Sequence, residues 1–197
     1  MPANKIHSTI KNDVKKMKLQ IHTQSTAPDA SKPLLDQSLK DFGMIPNLHA
    51  VMAESPGVLE SYKFLHQQFQ KSNFNADEFT VIWQTINVEH ECHYCVAAHT
   101  GIANMMKVDA AITDALRQRT QMPSSKLQVL HETTLELVRE RGYLAESSHA
   151  AFFEAGYDNQ QLLDIVLGIS QKVLSNYINH LAVTPVDKAF EALVWNK

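Results

Sequence analysis

Two cysteines and a histidine near the middle of the chain have a spacing that could support thiol chemistry. Cys92 and Cys95 are the two cysteines of the 197 residues, and His99 follows four positions after Cys95. If a helix begins near Cys92, the two sulfurs lie about one turn apart on one face, where a modest adjustment would let them form a disulfide. His99 lies on the same face, because side chains at i and i+4 are neighbours on a helix.

The expected position of the cysteines also favours a negative sulfur. A thiolate in the first turn of a helix is stabilised by free backbone N–H groups and by the positive end of the helix dipole. A nearby histidine can take up the thiol proton or stabilise the anion by its charge. Two cysteines cannot make a disulfide framework, and in a reducing compartment a close pair is more often redox-active or metal-binding than structural.

Other interpretations of the pair stay open at this point. Free cysteines are often small, buried and unreactive core residues. Zinc could use Cys92, Cys95 and His99, but a closed structural site needs a fourth ligand, and the chain has no second C-x-x-C pair. A thioredoxin-type motif fits poorly, because that motif follows a strand and the preceding segment is predicted as a helix. We therefore predict neither a bound metal nor a cofactor.

The segments around the cysteines are predicted to be helical from end to end. Asn75 and Asp158 stand before apolar residues at helical spacing, as N-caps do, and Ser55-Pro56 is a typical helix start. Pro185 is predicted to open a last helix. No segment alternates in the way of a strand with hairpin turns, so the fold class is all-α. The run from Gln161 to Asn179 is nearly apolar around its circumference, which predicts a central helix or one buried at a subunit contact.

Composition places the chain among ordinary single-domain proteins. It is 44% hydrophobic and 20% charged, with a formal charge of −3, which excludes global disorder and argues against a nucleic-acid surface. Residues 1–32 are read as a polar N-terminal arm and 33–197 as one helical domain. No apolar run is long enough for a membrane span and the N-terminus lacks a signal-peptide pattern, so we expect a soluble, cytoplasmic protein with no membrane partner.

The residues around the cysteines resemble a known family. Residues 92–99 read Cys-His-Tyr-Cys-Val-Ala-Ala-His, which closely resembles the C-x-Y-C-x-A-x-H signature of alkyl hydroperoxide reductase D-like (AhpD-like) proteins in the carboxymuconolactone decarboxylase superfamily. Gly-Met-Ile-Pro-Asn at 43–47 and Ser-Pro at 55–56 resemble the opening of the peroxidase-related branch, and residues 176–185 resemble its closing segment. The resemblance covers roughly residues 32–190.

The resemblance implies a compact AhpD-like multi-helix bundle with the C-x-x-C at the start of a helix. It implies an antioxidant enzyme that forms a homo-oligomer and reduces hydroperoxides through its dithiol. Cys95 would be the thiolate that attacks the peroxide, Cys92 would resolve the product into a redox-active disulfide, and His99 would belong to a proton relay. A dithiol reductant, such as a lipoyl-type carrier or a small disulfide reductase, would restore the reduced form.

One position departs from the family pattern. The relay glutamate usually lies twelve residues before the first cysteine, and this position holds Thr80. Glu89, one turn before Cys92, and Glu78, two residues before Thr80, are the candidates to replace it, with Glu89 favoured on reach.

Two other functions also remain open. One is a lactone decarboxylase of the carboxymuconolactone type, which does not need a dithiol. The other is a non-enzymatic redox sensor or zinc-binding module.

Overall fold

The computed structural model describes residues 19–196, which form nine α-helices and two short 3₁₀ helices without a β-strand. The α-helices are α1 (Lys32–Phe42), α2 (Asn47–Met52), α3 (Pro56–Phe69), α4 (Ala76–Glu89), α5 (His93–Met105), α6 (Ala110–Gln118), α7 (Ser125–Arg139), α8 (Glu146–Glu154) and α9 (Asn159–Ala182). The 3₁₀ helices are Asp29–Ser31 and Lys188–Leu193. The predicted all-α fold is confirmed.

Helices begin directly after the predicted N-cap residues Ser55, Asn75 and Asp158. Asn75 and Glu78 form a reciprocal capping box at the start of α4, and Asp158 and Gln161 form one at the start of α9. Ser55 precedes α3, but its side chain makes no capping hydrogen bond. The predicted last helix at Pro185 is wrong in type and position, since the structure has a 3₁₀ helix at Lys188–Leu193 instead.

Helix α4 lies at the centre of the bundle. It packs against α5, α6, α7 and α9, and its residues from Thr80 to Val88 are all buried. A helix enclosed in this way must be apolar around most of its circumference or have its polar groups paired within the protein. The main apolar core includes Ile82, Trp83 and Ile86 of α4 together with Phe69 and Phe152.

Helix α9 turns a polar face inwards. Its buried residues at helical spacing are mostly polar: Gln161, Gln171, Lys172, Ser175, Asn176 and Asn179. Several large apolar side chains of the same helix are exposed: Leu163, Val166, Tyr177 and Leu181. The sequence therefore predicted a helix with a buried surface, but its composition did not show that polar groups make up the inner face. The predicted homo-oligomer, which could cover the apolar face, stays a prediction.

The two ends of the described chain fasten onto the bundle. Of the segment read as an N-terminal arm, residues 1–18 lie outside the described residues, whereas residues 19–31 contact α2 and the turn after it. His22 donates its backbone N–H to Ala50 O, and the Ser31 hydroxyl donates to Ala53 O at 2.7 Å. At the other end, the 3₁₀ helix at 188–193 lies so close to α5 that a Cβ on Gly101 would meet the Phe190 ring at 2.5 Å. Among the described residues, no helix is long and apolar enough to cross a bilayer.

Candidate active site

The two cysteines lie at the start of α5, as predicted. Cys92 is the N-cap residue, with φ −81° and ψ 90°, and α5 begins at His93. The Cys95 backbone N–H donates a hydrogen bond to Cys92 Sγ at 3.4 Å, so a thiol occupies the position in which a serine or aspartate side chain usually caps a helix. Both cysteines are unpaired and buried, with 1% of each exposed.

Polar side chains of α9 lie beside the Cys95 sulfur. Asn179 on α9 donates through Nδ2 to Cys95 Sγ at 3.2 Å, and the same amide lies 3.8 Å from Cys92 Sγ. The Ser175 hydroxyl is 4.0 Å from Cys95 Sγ. Because α9 supplies these groups, the packing of α9 against α5 completes the environment that the first turn of α5 begins.

This environment separates the acidities of the two thiols. Burial opposes ionisation of Cys95, but the hydrogen bond from the Cys92 thiol, the positive charge of Lys172 and the amides of Asn179 and Asn176 outweigh it and lower the Cys95 pKa to about 6. Burial, together with the neighbouring Cys95 thiolate, raises the pKa of Cys92. The environment therefore favours the thiolate at Cys95 and the thiol at Cys92.

His99 is buried one turn after Cys95 on α5 and contacts a lysine. Lys172 Nζ, on α9, is 2.8 Å from His99 Nε2, and Lys172 is fully buried. Burial and the positive charge of Lys172 lower the pKa of His99 well below its usual value, so the imidazole is neutral. With Lys172 donating to Nε2, the ring proton belongs on Nδ1, and this buried atom has no hydrogen-bond partner among the described residues.

A network of buried amides holds α5 and α9 against α4. Asn176 donates to Asn87 Oδ1 at 3.0 Å, and Asn87 donates to Gln84 Oε1 at 3.0 Å. Gln84 in turn donates to Val96 O and to Thr100 Oγ1, both at 3.1 Å. Satisfied buried polar groups specify one arrangement of the elements that carry them, so the network fixes the register of the three helices around the cysteines.

Aromatic side chains form another wall of the site. The His66 ring stacks on Trp83 and on Tyr62, and the Trp83 ring centroid is 4.9 Å from that of His99. Gln171 joins them, since it accepts from Trp83 Nε1 at 2.9 Å and donates to His66 Nδ1 at 3.0 Å. Tyr62 belongs to the same apolar cluster as Cys92 and Cys95. Burial lowers the pKa of His66 to about 4, so this histidine too is neutral near pH 7.

The residue that precedes Cys95 ties the site to the C-terminal segment. The Tyr94 hydroxyl donates to Asp187 Oδ2 at 2.6 Å and accepts from the Leu48 backbone N–H at 3.2 Å. Asp187 also accepts from the Asn47 backbone N–H at 2.9 Å, at the first turn of α2. These bonds hold α2, α5 and the C-terminal segment together around the start of α5.

The structure brings Cys92, Cys95 and His99 into one buried region but gives both candidate glutamates other partners. Arg139 on α7 binds Glu89 with two hydrogen bonds of 2.8 and 2.9 Å, and these lower the Glu89 pKa. Glu78 closes the capping box of α4 and lies 3.0 Å from Lys126 Nζ. Among the described residues, neither carboxylate forms a hydrogen bond or ion pair with the cysteines or His99.

The polar residues that α9 contributes to the site, above all Lys172 and Asn179, were not predicted from the sequence. Both come from α9, about eighty residues after the C-x-x-C. A signal for them exists, because polar residues at 171, 172, 175, 176 and 179 repeat at helical spacing inside an otherwise apolar run. In the described part of the chain no three His, Cys, Asp or Glu side chains are grouped to hold a metal ion.

The fold has several relatives among solved structures. An uncharacterized peroxidase-related protein from Ralstonia eutropha JMP134, described as an alkylhydroperoxidase AhpD core, is similar with a TM-score of 0.78 and 16% identity, over 90% of this chain and 95% of that one. A peroxidase-related protein from Silicibacter sp. TM1040 is similar with a TM-score of 0.75 and 15% identity, over 89% and 93%.

A third similar structure is that of a debrominase. It is a cysteine-to-alanine variant of the debrominase Bmp8 in complex with 2,3,4-tribromopyrrole, with a TM-score of 0.71 and 15% identity, over 92% of this chain and 97% of that one. A scan against models of protein families and a search of curated proteins find no match to the sequence. The likeness in structure, over nine tenths of the chain, establishes that the protein has the AhpD-like fold of the peroxidase-related proteins.

Proposed function

We propose that the protein is a thiol-dependent peroxidase that reduces hydroperoxides with the Cys92–Cys95 dithiol. The observation that carries the proposal is the environment of the Cys95 sulfur. A cation, two amides and a thiol lower its pKa to about 6, whereas a sulfur that served only for packing would have no need of these groups. Peroxide reduction requires a thiolate nucleophile beside a second thiol, and the start of α5 supplies both.

The first step of the proposed reaction oxidises Cys95. Its thiolate attacks the terminal oxygen of the hydroperoxide, the O–O bond breaks, and the products are a cysteine sulfenic acid and an alkoxide. The alkoxide needs a proton to leave as an alcohol, and His99 is the group of the predicted relay that lies in the same buried region. Its unpartnered Nδ1–H is available for this donation.

The second step converts the sulfenic acid into a disulfide. The Cys92 thiol attacks the sulfenic sulfur, a disulfide forms, and water leaves. An external dithiol then reduces the disulfide by exchange. We propose a small dithiol as this reductant, such as a lipoyl-type carrier, because Cys92 and Cys95 are each only 1% exposed and leave little surface for a bulky partner.

Replacement of Cys95 by serine tests the proposal directly. With a dithiol present, the wild-type chain should consume hydrogen peroxide or a small alkyl hydroperoxide catalytically, and Cys95→Ser should lose this activity completely. Cys92→Ser is the matched variant: its sulfenic acid has no resolving thiol beside it and must react with the external dithiol instead, so it should turn over more slowly than the wild type. Unchanged turnover in Cys95→Ser would refute the proposal.

Reductive dehalogenation is a second candidate, favoured by the apolar and aromatic surroundings of the dithiol. Tyr62, Tyr94 and Met52 share its apolar cluster, and the similar debrominase binds a bromopyrrole. An aryl bromide and two thiols would give the arene, a disulfide and hydrogen bromide. Incubation with a bromopyrrole and excess dithiol, with bromide release measured, separates the two candidates: release at a rate well above that of peroxide consumption would favour this one.

A further inference from the structure

Lys172 is a fully buried cation without a carboxylate partner in the part of the chain that the structure describes. Its relative exposure is 0%, and its ammonium group has one hydrogen bond among the described residues, the bond of 2.8 Å to His99 Nε2. Since His99 is neutral, this bond leaves the charge uncompensated. An uncompensated charge in a protein interior is very costly, and a buried lysine loses its proton unless an opposite charge is near.

The groups that face Lys172 come from two neighbouring helices and its own. The start of α5 contributes Cys92, Cys95 and His99, and α3 contributes His66. Tyr62, also on α3, interacts with Cys95 and Gln171 beside them. The inner face of α9 itself adds only uncharged polar groups, among them Gln171, Ser175, Asn176 and Asn179. None of these groups is a carboxylate, and burial raises the pKa of Tyr62, which therefore stays neutral. The only anion in this set is the Cys95 thiolate.

Each of the two charges therefore depends on the other. The ammonium of Lys172 lowers the pKa of Cys95. In return, burial lowers the pKa of Lys172 while the sulfurs of Cys95 and Cys92 raise it. A disulfide bond carries no charge, so oxidation of the pair removes the anion that keeps the lysine protonated.

Building on the proposed function, we infer that Lys172 is the proton reservoir of the dithiol: it is an ammonium when Cys95 is a thiolate and becomes a neutral amine when the disulfide forms. Lys172 would then serve in place of the family's relay glutamate, whose usual position holds Thr80 in this chain. It touches no reacting atom in the structure and acts through His99.

The protons balance over the cycle. As His99 Nδ1 donates its proton to the leaving alkoxide, Nε2 receives one from Lys172, which leaves the ring neutral and the lysine uncharged. Cys92 gives its proton to the water that leaves when the disulfide forms. Reduction by a dithiol returns two protons, one to Cys92 and one to Lys172. The buried site thus has no net charge in either redox state.

The inference can be tested on the purified chain without any peroxide. The oxidised protein is reduced with excess dithiothreitol in weak buffer near neutral pH, and protons are counted with a pH indicator. Thiolate is then measured by its absorbance near 240 nm after removal of the reductant. The wild-type chain should show about one thiolate per chain but release about no protons, since dithiothreitol supplies both. Release of about one proton per disulfide, or no thiolate, would overturn the inference.

Two variants of Lys172 separate a proton reservoir from a merely structural lysine. Lys172→Arg keeps a permanent charge, so the thiolate should remain while about one proton is released per disulfide. Lys172→Met should lose the thiolate absorbance at neutral pH and regain it only at higher pH. Lys63→Met, the control, removes a lysine whose amine contacts Leu34 O and the Ser38 hydroxyl, and it should match the wild type.

Each variant is first checked by circular dichroism. If Lys172→Arg does not fold, the proton count of the wild type and the thiolate of Lys172→Met decide the question. A chain that shows thiolate without proton release but consumes no hydroperoxide would support this inference and refute the proposed function. A chain that consumes hydroperoxide and releases one proton per disulfide would do the opposite.

Discussion

Two of the buried charged side chains in the described part of the chain, Glu78 and Lys172, have partners that differ in kind. Glu78 is 3% exposed, and its carboxylate accepts from the Asn75 backbone N–H and lies 3.0 Å from Lys126 Nζ. Lys172 is 0% exposed, and the anion near it is the thiolate of Cys95. The partners of Glu78 keep their charge or dipole whatever happens to the protein, whereas the partner of Lys172 loses its charge on oxidation.

The comparison distinguishes Glu78, whose buried charge stabilises the fold, from Lys172, whose protonation depends on the redox state of the cysteines. Permanent partners make Glu78 part of the start of α4, where a carboxylate in the first turn satisfies free N–H groups and interacts favourably with the helix dipole. A partner that can be oxidised makes the protonation of Lys172 depend on the redox state of the site. Four experiments test this contrast.

The largest effect is expected from pH. Because the Cys95 pKa is about 6, the sulfur is protonated below that pH and a thiolate above it. The rate of alkylation of Cys95 by iodoacetamide should therefore rise about a hundredfold between pH 4 and pH 7 and then stay level, since only the thiolate reacts. Quantitative mass spectrometry of the labelled cysteine measures this rate. A rate that still climbs tenfold per pH unit above pH 7 would mean that the cation does not act on Cys95.

Loss of the Asn179 amide should have the next largest effect. Asn179→Leu keeps the approximate volume but removes the donor 3.2 Å from Cys95 Sγ. A lost hydrogen bond to a charged group should raise the thiol pKa by about one unit, which means about tenfold slower alkylation at pH 5. Tyr177→Phe, on the exposed face of the same helix, should react at the wild-type rate. Equal rates for both variants would show that the amide does not stabilise the thiolate.

Replacement of Glu78 should change stability and leave the thiol unchanged. Glu78→Ala removes half of the capping box and the partner of Lys126, which should cost about 1–2 kcal/mol and lower the melting temperature by several degrees. The alkylation rate of Cys95 should stay within about twofold of the wild type. Differential scanning calorimetry and the same labelling assay measure the two effects. A large fall in thiol reactivity with the fold intact would connect Glu78 to the site.

The smallest effect is expected for Glu89. Glu89→Gln weakens a partly exposed pair with Arg139, and such pairs contribute about 0–1 kcal/mol. Peroxide consumption should be unchanged, because both carboxylate oxygens are held by Arg139 and not by the site. A tenfold loss of turnover at an unchanged melting temperature would instead place Glu89 in the proton relay, as the sequence favoured.

Local features of the fold and site could be predicted from the sequence because they depend on short spacing. The three residues Cys92, Cys95 and His99 fall within two turns of one helix, so their common location follows from helical geometry. The caps at Asn75 and Asp158 are likewise decided by residues within one turn. These features needed no knowledge of how helices pack.

The other residues of the site could not be predicted from the sequence because their positions depend on tertiary packing. Lys172 and Asn179 reach the dithiol because α9 lies against α5, and the spacing of residues along α9 does not say which helix its polar face will meet. The relay acid was sought in residues close to Cys92 in the sequence, yet Glu89 turns to Arg139 on α7. His66 stacks between Tyr62 of its own helix and Trp83 of α4, a contact that depends on how the two helices lie in the bundle.

The Cys92 thiol that caps α5 makes the Cys95 amide proton a reporter of the redox state of the pair. In the reduced state Cys92 Sγ accepts the Cys95 backbone N–H. To form a disulfide, the same sulfur must approach Cys95 Sγ to about 2 Å, so the geometry of this cap differs between the two redox states. The rate at which the Cys95 amide proton exchanges with deuterium should therefore differ between the reduced and the oxidised chain.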